Sequence, residues 1–366
     1  MKAVPLLPIW TIAVPALSWL LIAGQFFIAP GNGMLVLLVA GLFASVFAAV
    51  HHAELVAHRL GEPYGTLVLA AAVTVIELAL IVSLMVAGGP SSAALARDTV
   101  FATVMIILNG IVGACLLIGG SRFGEQRFGS YGVNASLAAL ASIVVLTLVL
   151  PNYTTTVPGP YYSASQLAFV AIVSLILYAT FAFVQTVRHR DYFLSPEGEG
   201  EGEGGEAEVH VALPSNRVAY FSGALLLACL GAVVLLAKSI SPVVESAVAR
   251  LGAPNAVVGV IIAATVLMPE GLAALRAARA NRLQTSLNLA LGSALATIGL
   301  TIPAVAIVSL ATGWTLTLGI DGKATVLLLL SLLVAGLSLG SGRTTVLQGV
   351  VHLVIFAVYL FTTIVP

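Results

Sequence analysis

The chain has 366 residues, of which 60% are hydrophobic and only 8% charged, and its mean hydropathy is +1.10. Soluble domains carry roughly a quarter charged residues, so this chain cannot clothe itself in a water-facing surface and lipid must solvate much of it. The 15 basic and 15 acidic residues cancel, which argues against a nucleic-acid partner. Cys115 and Cys229 stand singly in apolar runs, which argues against a disulfide frame or a zinc site.

A bilayer span needs about 20 mostly apolar residues. Eleven segments meet that requirement in chain order: 6–28, 34–58, 64–87, 98–119, 131–150, 165–187, 217–239, 254–276, 284–311, 323–340 and 344–365. The first follows Lys2 and lacks a small-residue cleavage site, so it reads as a spanning helix and not a cleaved signal. Connections are short except for 188–216, which holds six glutamates among glycines between Glu197 and Glu208. Flexible glycine and like-charge repulsion predict a solvated, disordered linker there. It reads as an inert hinge or, less directly, as a collector or sensor of cations. In the connections, 11 Lys and Arg fall on the side of the N-terminus, against Arg97, Lys238, Arg250 and Lys323 on the other. The positive-inside rule then puts the N-terminus and the acidic linker in the cytoplasm.

Two stretches of the chain resemble each other. Glu54 is followed by Arg59-Leu60-Gly61, a small-residue apolar helix and Glu77. Glu245 is followed by Arg250-Leu251-Gly252, a similar helix and Glu270. With eleven spans, the first of these motifs lies on the cytoplasmic side and the second outside, so the halves are related by inversion. The expected organisation is an extra N-terminal helix (1–33), a first repeat (34–187), the acidic linker (188–216) and a second repeat (217–366). Inverted repeats mark secondary transporters, with the site at the repeat interface near the midplane. The fold class expected is therefore an all-α polytopic membrane protein of 11 helices, two inverted five-helix repeats plus one.

Glu77 and Glu270 lie deep within spans, where a charged carboxylate costs several kcal/mol unless it meets a cation, a proton or water. One such residue is as readily structural as functional; two at matching repeat positions favour function. Two carboxylates suit a divalent cation such as Ca²⁺, which takes hard oxygen ligands, and burial raises their affinity for protons. Competition of cation and proton for the same carboxylates is what an exchanger requires. Pro269 cannot donate to the carbonyl of Thr265, so that carbonyl can turn to an ion, and the hydroxyls of Thr74 and Thr265 add oxygens. The plainer alternative for Pro269 is a simple kink. Asn109 and Ser293 lie mid-span and are ligand candidates or helix-packing polar groups. Asn288 is a weaker candidate of the same kind, and Gly110, Gly113 and Gly292 allow close packing around the site. Glu54 and Glu245, nearer the membrane faces, are candidates for proton relays or gates, or for interfacial ion pairs with Arg59 and Arg250. His51 and His52 flank Glu54 and can shuttle protons, or simply be solvated.

At these residues the sequence resembles the calcium/cation antiporter superfamily and, within it, the ChaA-type cation/proton exchangers. VTVIEL (73–78) and VLMPEGL (266–272) resemble the two glutamate motifs of that family, and LGSALATIGLTIPAV (291–305) resembles its Ser/Pro helix, placing Ser293 and Pro303. GACLLIGGSRFGEQRF (113–128) and YATFAFVQTVRHRDYF (178–193) resemble the helix end and the span before its acidic segment, and Glu54 and Glu245 match its outer glutamates. The resemblance implies export of Ca²⁺, Na⁺ or K⁺ against entering protons, with Glu77 and Glu270 as ion-binding residues. Thr74, Leu267, Ile107 and Ala296 stand where the family usually has amide or other ligand residues, which keeps the monovalent ions in play.

The expected function is Ca²⁺/H⁺ antiport in the cell inner membrane, with Na⁺(K⁺)/H⁺ antiport on the same glutamates as the alternative. A remoter reading is a membrane scaffold or cation sensor working through the linker. No enzyme motif (HExxH, GxSxG or Walker A) is present, so no enzyme is expected. No resident cofactor is expected either, and the expected partners are the bilayer and the transported ions.

Overall fold

The computed structural model describes residues 7–25, 27, 32–61, 64–88, 93–193, 214–250, 252, 254 and 256–365. The acidic run Glu197–Glu208 lies outside the described residues. Among the described residues eleven long helices form, one for each expected span. They are α1 (Ile9–Gly24), α2 (Asn32–Leu60), α3 (Tyr64–Gly88), α4 (Leu95–Phe123), α5 (Ser130–Tyr153), α6 (Ala164–Arg188), α7 (Asn216–Arg250), α8 (Ala256–Arg279), α9 (Leu283–Thr312), α10 (Gly322–Leu339) and α11 (Val346–Ile364). Among the described residues nine of them are long and apolar enough to cross a bilayer. The other two are α1, with 16 residues, and α3, whose described apolar part is Ala72–Ser83. The protein is thus a multi-pass all-α membrane protein. Its only described strands are β1 (Gln126–Arg127) and β2 (Arg343–Thr344), an antiparallel pair beside the ends of α4 and α11.

The largest departure from expectation is α7, which runs on past residue 239 to Arg250. In the structure the Ser239 hydroxyl donates to the Leu235 carbonyl at 2.9 Å, and the helix carries Pro242 in its interior. A proline removes a single ladder bond and need not end a helix in a membrane.

Helix ends echo the internal repeat. Gly61, after α2, and Gly252, after α7, both sit in the left-handed region, at φ 69° and 64°. That conformation is cheap only for glycine and stops a helix there, so the Arg-Leu-Gly motif acts as a helix terminator in both halves. Gly124 after α4 and Gly313 after α9 repeat the device at φ 77° and 73°.

The helices form two compact units. The first contains α1, α2, α3 and α7. Here α2 runs along α7, α3 packs on both, and α1 covers them, around a core of Ile22, Leu38, Ala232, Leu236 and Ile240. Apolar contact gains little between helices in lipid, so polar bonds and small residues help to hold them. Ser18 and Ser45 share a 2.8 Å hydrogen bond, and Trp19 Nε1 donates to the Ala228 carbonyl at 3.0 Å. Arg59 Nε donates to Asn216 Oδ1 at 2.8 Å.

The second unit contains α4–α6 and α8–α11. α4 packs against α11, and α9 packs against α6. The third helix of spans 2–6 thus lies on the fifth of spans 7–11, and the third of spans 7–11 on the fifth of spans 2–6. Both crossings are tight because one residue lacks a side chain: Gly349 of α11 sits over the Leu117 backbone, and Gly299 of α9 over Tyr178. α8 packs on α4, with Cys115, Ala274 and Ala278 in the shared core.

α4, α5 and α6 each contain a widened π-helical turn, at Ile106–Ile111, Val145–Val149 and Val184–Arg188. Between α5 and α6, Tyr162 donates its hydroxyl to the Leu146 carbonyl in the second of these, at 2.5 Å. Burial pushes the Tyr162 phenol up to about 12, so it stays a donor at any working pH.

Asp321 starts α10 by accepting the Ala324 N–H at 2.6 Å. Replacing it with alanine is expected to cost about 1 kcal/mol locally. Amide exchange in the first turn of α10 should then quicken roughly fivefold, and an unchanged rate would show that the cap contributes nothing.

Candidate functional site

Glu77 is set in α3 with 1% of its surface exposed, and Thr74, one turn earlier on the same face, with 4%. The surrounding buried face of α3 is Ala72, Ile76, Leu80 and Ile81, all apolar. Glu270 is set in α8, half-buried, with Thr265 buried five residues before it. The Oε2 atoms of Glu77 and Glu270 are both shielded from solvent. Carboxylates enclosed this way bind protons or cations in preference to standing charged and bare.

α8 stays helical through Pro269. The proline has no N–H, so the Thr265 carbonyl receives no bond from four residues on. The Thr265 hydroxyl donates to Ile261 O at 2.7 Å, which leaves its oxygen free to act as an acceptor. Gly271, next to Glu270, lies against Ile111 of the α4 π turn; a Cβ there would stand 3.2 Å from Ile111 Cδ1.

The remaining candidates disperse. Asn109 is fully buried in the α4 π turn, and its amide joins Ser331 and His352. Gly110 and Gly113 face Phe356 and His352 of α11 and allow that approach. Ser293 is half-buried on α9, and Gly292 there faces Gln185. Asn288 donates to Phe193 O at 2.5 Å and accepts from Gln284, in a network at one end of α9. His51 and His52 turn to α1: the His51 ring lies 5.5 Å from that of Trp10, and His52 Nε2 bonds the Thr11 carbonyl at 3.0 Å. Glu54 is exposed on α2, and Glu245 is on α7 with its side chain outside the described residues.

Two features were not singled out from the sequence. One is His352 with Ser331. The signal was available, because a histidine in the middle of an apolar span is costly without a purpose. The other is a cavity of about 170 Å³ where α4, α8, α10 and α11 end, lined by Arg97, Asp98, Asp321, Lys323 and Tyr359. Its charges compensate one another. Arg97 Nε donates to Asp98 at 2.8 Å, Asp321 caps α10, and Lys323 donates to Thr362 O at 2.6 Å.

Among the described residues nine helices are long and apolar enough to cross a bilayer, and α3 and α8 carry glutamates with an enclosed carboxylate oxygen, as in a membrane transporter of ions. The profile of the sodium/calcium exchanger protein family matches residues 31–187 and 221–365. The chain belongs to this family, within the calcium/cation antiporter superfamily. It is 47% identical over 362 residues to the putative ionic transporter y4hA of Sinorhizobium fredii, covering 98% of this chain and 97% of that protein. It is 36% identical over 326 residues to the sodium-potassium/proton antiporter ChaA of Escherichia coli, covering 89% and 87%. Its fold matches the solved Ca²⁺/H⁺ antiporter YfkE with a TM-score of 0.73 at 18% identity, over 98% of this chain and 99% of that one.

Proposed function

We propose that this protein is a Ca²⁺/H⁺ antiporter of the cell inner membrane, exporting cations from the cytoplasm in exchange for entering protons. The observation that carries the reading is the pair of glutamates, Glu77 and Glu270, at corresponding places in the two repeats, each with a shielded carboxylate oxygen. Hard carboxylate oxygens suit Ca²⁺, and their burial makes a proton the alternative occupant. A cation arriving from the cytoplasm displaces protons from these groups, and protons arriving from outside displace the cation. Thr74 and Thr265 are the accompanying oxygen donors, and Glu54, Glu245, His51 and His52, nearer the two faces in sequence, are read as proton relays or gates. The repeats are taken as 34–187 and 217–366, with the N-terminus and the acidic segment cytoplasmic, and no resident cofactor takes part.

A second reading, Na⁺ or K⁺ in place of Ca²⁺ on the same glutamates, is favoured by the 36% identity to a sodium-potassium/proton antiporter. Everted vesicles holding the full chain and an acid interior separate the two. Ca²⁺ added outside should collapse the pH gradient. Collapse by Na⁺ or K⁺ alone would establish the monovalent reading, and no response to any of the three would end both.

A further inference from the structure

Asn109, Ser331 and His352 come from three helices, α4, α10 and α11, and all three are fully buried. Their hydrogen bonds allow one assignment of protons. The Ser331 hydroxyl lies 2.7 Å from the Leu327 carbonyl, a far better acceptor than the Met105 thioether at 3.5 Å, so its single proton goes to Leu327. Ser331 Oγ must then accept from Asn109 Nδ2, at 2.8 Å. That turns Asn109 Oδ1 to the His352 ring, whose Nδ1 is 3.1 Å away. An amide oxygen only accepts, so Nδ1 carries the hydrogen. The other ring nitrogen, Nε2, has no partner among the described residues. A bare lone pair there is consistent with the assignment, since buried N–H groups are rarely left unmade.

The chain His352 → Asn109 → Ser331 → Leu327 therefore ties the π turn of α4 to α10 and α11. The opposite side of the same turn, at Ile111, lies against Gly271, the residue after Glu270. The turn is thus held between the histidine and the helix that carries the glutamate. π turns depart from the regular ladder and concentrate at functional positions, and a widened turn keeps its shape only when its surroundings fix it.

We propose that His352, through the Nδ1 hydrogen it donates to Asn109, is a positioning residue that sets the α4 turn supporting Glu270, and with it the cation affinity of transport. Asn109 thereby acts as a link in this clamp. The inference rests on the exchange reading above.

Asparagine at 352 places an amide hydrogen where Nδ1–H stands, glutamine places it nearer Nε2, and leucine has none. In everted vesicles with Ca²⁺, Na⁺ and K⁺ as probes, H352N should keep the half-saturating cation concentration within about twofold of wild type. H352L and H352Q should raise it roughly tenfold at equal protein amount, the size expected for losing a buried hydrogen bond. The proposal is overturned if H352L matches wild type, if H352N is as impaired as H352L, or if H352Q does as well as H352N. A second arm needs no transport: thermal unfolding in detergent of N109A, H352L and the double variant. The double shift should be smaller than the sum of the singles, and additive shifts overturn the clamp. Wild-type protein inert to all three cations would remove the exchange reading, while this second arm would still decide the clamp.

Discussion

Glu77→Gln and Glu270→Gln are each expected to reduce cation-driven proton flux to background while the protein reaches the membrane in wild-type amounts. Glutamine keeps the shape of the side chain and one acceptor oxygen but removes the negative charge and the exchangeable proton together. Leaving an enclosed cation short of one carboxylate costs about 3–5 kcal/mol by analogy with breaking a buried ion pair, more than a hundredfold in affinity. The effect on stability has the opposite sign. Both glutamates have a shielded oxygen, and without cation each either holds a proton, a neutral state that glutamine imitates, or bears a desolvation cost that glutamine removes. Without cation, the variants should therefore unfold at or above the wild-type temperature. Saturating cation should raise the midpoint of wild type, since a ligand at a hundred times its dissociation constant adds about 2.7 kcal/mol, and should leave the variants unmoved. Flux retained in either variant would remove that residue from the exchange chemistry. A lowered midpoint without cation would give the glutamate a structural task instead.

Much of this architecture was legible in the chain because lipid enforces simple rules. Backbone groups must bond within their own helix, so each apolar run of sufficient length became a helix, and among the described residues the eleven expected spans each hold one. The Arg-Leu-Gly motifs were legible for a related reason: a left-handed terminator needs glycine, and Gly61 and Gly252 both take that conformation. What escaped depended on which way a side chain turns. Nothing in the MIILNGIVG run says that Asn109 faces His352, 243 residues later in the chain. The pairing arises from a widened turn and from glycines that let α11 close on α4. Likewise His51 and His52 lie near Glu54 in sequence, yet the structure engages them with Trp10 and Thr11, because α1 packs on that face of α2. The continuation of α7 past residue 239 and through Pro242 escaped because a span count measures the apolar run, not the full length of the helix that carries it.

The crossing of α4 and α11 carries the other large effect, Gly349→Ala. A Cβ at this position would meet the Leu117 backbone nitrogen, with Leu117 Cα at 2.8 Å and the Gly113 carbonyl oxygen at 2.9 Å. All three are backbone atoms of a helix, so no rotamer change relieves the contact; α11 must move off α4. Overpacking of this kind costs about 2–3 kcal/mol. Here the displacement would also stretch the His352–Asn109 bond, one turn along the same two helices. Gly336→Ala in α10 is the control, because a Cβ there meets nothing within 4 Å. It should be neutral or slightly stabilising, by up to about 1 kcal/mol, since alanine is the better helix former. Gly299→Ala places the equivalent methyl against Tyr178 Cβ at 2.5 Å in the reciprocal crossing of α9 on α6. If the two crossings are copies of one design, thermal unfolding should show G349A and G299A lowered together and G336A unchanged. A G349A midpoint equal to that of G336A would mean that α11 does not approach α4 this closely, and the clamp on Asn109 would lose its geometric basis.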